Sequence, residues 1–280
     1  MKRIGKRTII FENKPRIISY GSVVGKKEHE GPLSNEFDSY TTDSFFGEKS
    51  FEKAESRLQK TAVQTALDKA GLTPDDIDNI FAGDLLNQCI GSSFGLRSFG
   101  IPFIGLYGAC STMALSAGLA AVFIDSGAAK KTISVTSSHF CSAERQYRFP
   151  LNYGSQRTPT AQWTVTGSGA LILGKDGGDI YINSVTFGEI EDLNIKDANN
   201  MGAAMAPEDV NLDPYIFRCA ERCVLHKIRY YHNHSPVFPL ERTETENRQS
   251  PLIPCWRQGG FYLRKCFSYP NTGAEVCRVP

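Results

Sequence analysis

Residues 101–124 constrain the fold more than any other stretch of the chain. Positions 101–106, IPFIGL, read as a short buried strand, 107–109, YGA, as a tight glycine-bearing turn, and 111–124, STMALSAGLAAVFI, as a small-residue helix. Cys110 therefore falls where strand turns into helix. Unpaired backbone N–H groups and the positive end of the helix dipole favour a thiolate there, which makes Cys110 a candidate nucleophile. The alternative is a buried packing cysteine, since free cysteine is among the most buried residue types. Met113, Ala117, Ala120 or Ala121, and Ile124 fall on one packing face, and the surplus of Ala and Gly lets this helix lie close to its neighbours. It reads as a central helix rather than a surface one.

The rest of the first 190 residues alternates strand and helix signals, which points to an α/β fold. Residues 8–11 and 17–24 read as strands parted by a turn at 13–15. Residues 32–49 carry no clean period and read as a surface excursion, either a solvated loop or a lid. Ser50 is a plausible N-cap for an amphipathic helix whose stripe is Ala54, Leu58, Ala62, Ala66 and Ala70, joined by Val63 and Leu67, with Gly71 as its stop. Residues 77–83 and 132–136 are further strands, and 163–173 with 179–190 alternate around a turn at 175–178 as an antiparallel pair.

In open α/β sheets ligands bind outside the carboxyl ends of the strands, which draws attention to what stands there. Asp84, Asn87 and Gln88 follow the strand at 77–83, and they read either as crevice-lining groups or as turn and cap residues. His139 follows the strand at 132–136 and reads as a contact to a bound anion, a base for Cys110, or a hydrogen-bonded structural residue. Arg145, Arg148 and Arg157 share a predicted loop with Tyr147, Tyr153 and Trp163. Guanidinium forks match planar carboxylates and aromatic faces stack on planar rings, so this loop can grip a small aromatic anion; otherwise the arginines are simply solvated.

Composition sets limits rather than function. A net charge of +1 over 280 residues leaves no basic footprint for nucleic acid. The longest apolar run, 114–124, is far shorter than the ~20 residues of a membrane helix, and the basic start MKRIGKRTIIFENK lacks the apolar core of a signal peptide. A soluble or peripheral protein is expected. The last 70 residues hold five of the eight Cys, seven of the 14 Pro and only three of the 25 Gly, and the periodicity disappears with the change in composition. Cys219, Cys223, His226, His232 and His234 suggest zinc, but their spacing fits no common finger and no metal is expected.

The turn and helix at Cys110 resemble the nucleophile segment of thiolases and ketoacyl synthases, where a cysteine on such an elbow takes an acyl group from a thioester. Residues 137–170, SSHFCSAERQYRFPLNYGSQRTPTAQWTVTGSGA, with AGDLLNQ at 82–88, are similar to the stage V sporulation protein AD family, over about the first 207 residues. The resemblance implies a thiolase-like α/β fold for 1–207, a mixed sheet with packed helices, representing the N-terminal half only. Residues 208–280 are then an aberrant, irregular tail in place of a second half, as a change of reading frame near Glu208 would produce; translating the source DNA in its other frames tests that. Without the second half, the Met113, Ala117 and Ile124 surface is expected to lie open to water. At about 25 cal/mol per Å² this would forfeit on the order of 10 kcal/mol and leave the chain poorly stable alone.

The resemblance also implies a function in sporulation and germination: binding dipicolinic acid, pyridine-2,6-dicarboxylate, free or as its calcium chelate, for uptake into developing spores. Asp84, Cys110, His139 and Arg145 are the ligand-binding candidates. The alternative is an acyltransferase with Cys110 as nucleophile, which the loss of the second-half catalytic residues disfavours, and no cofactor is expected. Implied partners are membrane proteins of the same sporulation operon and a second copy of the chain, with a peripheral position at the spore inner membrane inside the cell. If Cys110 is an elbow nucleophile, its thiol titrates below the usual value of about 8.5, and Cys110→Ala leaves the fold intact. Slow iodoacetamide labelling, with an ordinary or raised pKa, identifies a packing cysteine instead.

Overall fold

The computed structural model describes residues 1–147, 164–188 and 194, together with three strands further on, Leu240–Arg242, Ile253–Arg257 and Gly260–Arg264. Side chains of Cys110, of residues 144–147 and of those three strands lie outside the description. In chain order the elements are β1 Lys2–Ile4, β2 Thr8–Ile10, β3 Arg16–Val24, α1 Lys26–His29, β4 Ser39–Tyr40, α2 Phe51–Ala70, β5 Asn79–Gly83, α3 Ile90–Leu96, β6 Phe103–Gly105, α4 Thr112–Ser126, β7 Lys131–Ser138, α5 Phe140–Tyr147, β8 Gly167–Gly174, β9 Ile180–Ile182 and β10 Ser184–Thr186. The strands of the tail are β11, β12 and β13.

The main sheet runs in the order β11-β9-β3-β8-β7-β5-β6, with β4 added to β3. Strands β5, β6 and β7 are mutually parallel, whereas β3, β8 and β7 are joined antiparallel, so the sheet is mixed as expected. Strand alternation divides its side chains between two helices. Ile80, Ala82, Ile133, Val135, Ala170 and Ile172 pack on the α2 side, while Phe81, Leu171 and Leu173 pack on the α4 side. The α2 reading holds in detail. Ser50 Oγ accepts from the Lys53 N–H at 3.3 Å, the predicted stripe is buried, and Gly71 closes the helix in the left-handed region at φ 64°.

Helix and sheet meet at backbone distance. A Cβ on Gly21 of β3 would lie 2.2 Å from the Ala62 carbonyl oxygen of α2, and one on Gly83 of β5 would lie 2.0 Å from the Leu106 carbonyl oxygen. Only glycine fits at either crossing.

Four expectations are revised. β8 and β9 do not pair with each other: β3 lies between them, bonded to both, because β8 is buried along its whole length and needs a strand on each edge. Arg145 lies in helix α5, not in a loop. Met113, Ala117 and Ile124 are buried against the sheet rather than open, and the half-exposed stripe of α4 is Leu115, Leu119, Val122 and Phe123. The 32–49 excursion is tied down: Asp38 accepts from the Ser22 N–H at 2.9 Å and pairs with Lys69 at 2.8 Å. Helix α3 and the small sheet β1-β2-β10 have no counterpart in the sequence reading. In the tail, β11 joins β9 and β12 pairs with β13, and the remainder lies outside the described residues.

Gly21→Ala is expected to push α2 off β3 and cost about 2–3 kcal/mol, read as a lower urea midpoint. An unchanged midpoint would mean that the helix can move aside freely.

Candidate functional site

Because β5, β6 and β7 are parallel, their carboxyl ends share one edge of the sheet, and Asp84, the 106–111 elbow and His139 come together there by topology. Each end is shaped by its own local sequence. After β6 the Leu106 N–H donates to the Ala82 carbonyl at 2.8 Å, and the chain then turns through Gly108 and Ala109 into α4. Ala109 has φ 47°, a left-handed backbone that a Cβ disfavours, immediately before Cys110. The Thr112 hydroxyl donates to the Ala109 carbonyl at 2.8 Å and accepts from the Gly108 N–H at 3.2 Å, which fixes this bend. The backbone therefore makes the predicted elbow, with a 3-10 turn at Ala109–Ser111 before α4 begins. The Cys110 and Arg145 side chains lie outside the described residues, as do Arg148, Tyr153, Arg157 and Trp163.

Asp84 is fully buried and both of its oxygens are engaged. Oδ1 accepts from the Leu86 N–H at 2.9 Å, and Oδ2 accepts from the Ser92 N–H at 2.7 Å and the Ser92 hydroxyl at 2.5 Å. These bonds close the turn after β5 and seat α3. Burial pushes the carboxyl above its ordinary range, against the opposing pull of the Ser92 donors. Asn87 and Gln88 are exposed at the rim, and Gln88 and Cys89 are both left-handed, with φ 61° and 52°. Cys89 is buried and its thiol donates to the Leu106 carbonyl at 3.2 Å, tying the β5 turn to the elbow; burial, then the charge of Asp84, raise its pKa.

His139 is also fully buried, and its ring has a definite orientation. The Cys141 N–H donates to Nδ1 at 3.2 Å, so Nδ1 is an acceptor and Nε2–H donates to the Ser44 carbonyl at 2.8 Å. Phe51 stacks on Phe45 with centroids 4.4 Å apart and lies 5.1 Å from the His139 ring. The ring thus pins the 41–49 segment over the strand ends, in the covering position that a lid would occupy.

Two residues of this region went unread in the sequence. Glu55 and Gln59 of α2 are completely buried under the strand ends. Gln59 Nε2 lies 2.9 Å from Ser92 Oγ, 2.8 Å from Ser137 Oγ and 3.1 Å from the Gly83 carbonyl. Ser137 and Ser142 Oγ approach the two Glu55 oxygens at 2.9 and 2.6 Å. Their spacing of four residues, beside Leu58 and Ala62, was the available signal: it puts both on the buried face. Among the described residues no group of three or more His, Cys, Asp or Glu is arranged to hold a metal, and the tail cysteines and histidines fall outside them.

The model of the stage V sporulation protein AD family matches residues 5–219. The chain belongs to that family. A relative from Bacillus subtilis (strain 168), Stage V sporulation protein AD, is 45% identical over 207 residues, which is 74% of this chain and 61% of that protein. This family member thus spans less than two thirds of the relative's length. Solved structures with some likeness include the 3-oxoacyl-[acyl-carrier-protein] synthase III of Aquifex aeolicus VF5, 17% identical over 60% of this chain and 57% of that one, with a TM-score of 0.42. Another is the priming β-ketosynthase of the R1128 polyketide pathway, 15% identical over 85% and 65%, with a TM-score of 0.43. At that level of overlap they say nothing of substrate or chemistry. No helix among the described residues is long and apolar enough to cross a membrane.

Asp84→Ala is expected to strand the Leu86 and Ser92 donors and lower stability by about 3 kcal/mol in urea denaturation, with Ser92→Ala milder. Equal midpoints for Asp84→Ala and wild type would show that the carboxylate does not hold α3.

Proposed function

We propose that this member of the sporulation family binds dipicolinic acid, free or as its calcium chelate, in the crevice at the carboxyl ends of β5, β6 and β7. The observation that carries the reading is family membership across residues 5–219, which include all three strand ends and α5. The chemistry is compatible with it. A planar dicarboxylate on a pyridine ring asks for cationic forks, N–H donors and flat apolar surfaces. Arg145 on α5 and the elbow before Cys110 are the parts of this chain suited to supply them. Asp84 and His139, turned inward on their own partners, act in this reading by shaping the crevice wall. Uptake of the ligand into the developing spore would involve membrane proteins of the same operon. A peripheral place at the spore inner membrane and a homodimer complete the proposal.

The left-handed Ala109 supports a second reading, acyl transfer through Cys110, since a strained turn is one way to present a nucleophile. Mass spectrometry after incubation with acyl-coenzyme A separates the two, because a stoichiometric thioester on Cys110 favours the enzyme. For the binder, dipicolinate at about 100 times its Kd raises apparent stability by about 2.7 kcal/mol, and Arg145→Gln weakens binding by roughly tenfold or more. A thermal-shift titration with no response to dipicolinate would falsify the reading.

A further inference from the structure

Hydrogen counting along the buried chain from Asp84 to Glu55 fixes where its mobile proton sits. The Ser92 hydroxyl has one hydrogen and gives it to Asp84, so its oxygen accepts from Gln59 Nε2 at 2.9 Å. Ser137 likewise gives its hydrogen to Glu55 Oε1 at 2.9 Å and accepts from Gln59 at 2.8 Å. Asp84 also receives backbone N–H groups and is served as an anion. Glu55 receives none. Its other oxygen, Oε2, lies 2.6 Å from Ser142 Oγ, and Ser142 Oγ lies 3.3 Å from the His139 carbonyl, which can only accept. With a proton on Oε2, Glu55 donates to Ser142, Ser142 donates to His139, and each bond has one hydrogen. Without it, Ser142 must serve two acceptors with one hydrogen, and two buried anions stand at the ends of one chain.

We propose that Glu55 is a proton-held latch: its neutral carboxyl clamps Ser142, and with it the first turn of α5, onto α2, and loss of the proton releases α5. The charges acting on Glu55 are those of Asp84 from the end of β5 and Glu52 on its own helix, both negative. From the end of β7 it meets Ser137, while the nearby His139 ring is already bonded to Cys141 and Ser44; α5 presents Ser142. Burial first, then the Asp84 charge, push the Glu55 pKa from 4.5 up to about 8. The sign follows from linkage. Below the unfolded value both states hold the proton and the latch contributes fully; its contribution declines as pH rises towards the folded value, and above that value α5 is unclamped.

The latch does not depend on the dipicolinate reading, and its test reads the helix rather than a ligand. Backbone amide exchange of α5, corrected for intrinsic rates and compared with α4, is followed in the wild-type chain from about pH 6 to about pH 9.5. The expected result is a relative loss of α5 protection of roughly tenfold or more above about pH 8, absent in Glu55→Gln, whose carboxamide bonds both serines without titrating. Parallel α4 and α5 profiles in the wild type overturn the latch, and so does the same loss in Glu55→Gln. Should that variant fail to fold, the wild-type profile decides alone.

Discussion

The strand-end crevice depends on a contact that only backbone can make. At Gly83 the end of β5 passes so close to the Leu106 carbonyl and to Thr112 that no side chain fits, and this brings the β5 turn and the Cys110 elbow together. Cys89 reinforces the contact from the other direction by bonding the same Leu106 carbonyl. Once the two turns are joined, Asp84 faces inward to seat α3, and the elbow is left at the rim. The strain in Ala109, Gln88 and Cys89 is borne by these bonds and by the packing of α4.

Beneath the crevice the molecule does something globular cores usually avoid. Two carboxyl groups and a glutamine are fully buried on the α2 side of the sheet, in a region otherwise filled by Leu58, Ala62 and Ile133. Burial of that kind is tolerable when each hydrogen finds an acceptor, and one proton shared at Glu55 achieves it. The same network joins α2 to the ends of β5 and β7 and to α5, so four elements that carry the site move as one.

How far the sequence revealed this follows from which signals are local. The elbow was legible because strand, glycine turn and small-residue helix are contiguous, and α2 because its stripe, cap and stop agree. The partners of β8 were not: alternation suggests an extended strand but does not say which strand lies beside it, and the buried edges of β8 recruited β3 and β7. Helix α3 escaped notice because seven residues with two glycines, IGSSFGL, carry no helical propensity of their own. It exists because Asp84 holds its N-terminal turn. Glu55 and Gln59 were hidden for the opposite reason, since polar residues beside an apolar stripe read as its solvated margin. The half-exposed stripe on α4, Leu115, Leu119, Val122 and Phe123, shows that the inner face is satisfied by this sheet while the outer face is not.

The central claim is that the ends of β5, β6 and β7 form one ligand site in this family member. Amide chemical-shift mapping with dipicolinate tests it most directly. The account predicts shifts concentrated at residues 84–92, 106–112 and 138–147, saturating together with a single Kd. Shifts concentrated elsewhere, or separate affinities for the three segments, would contradict it.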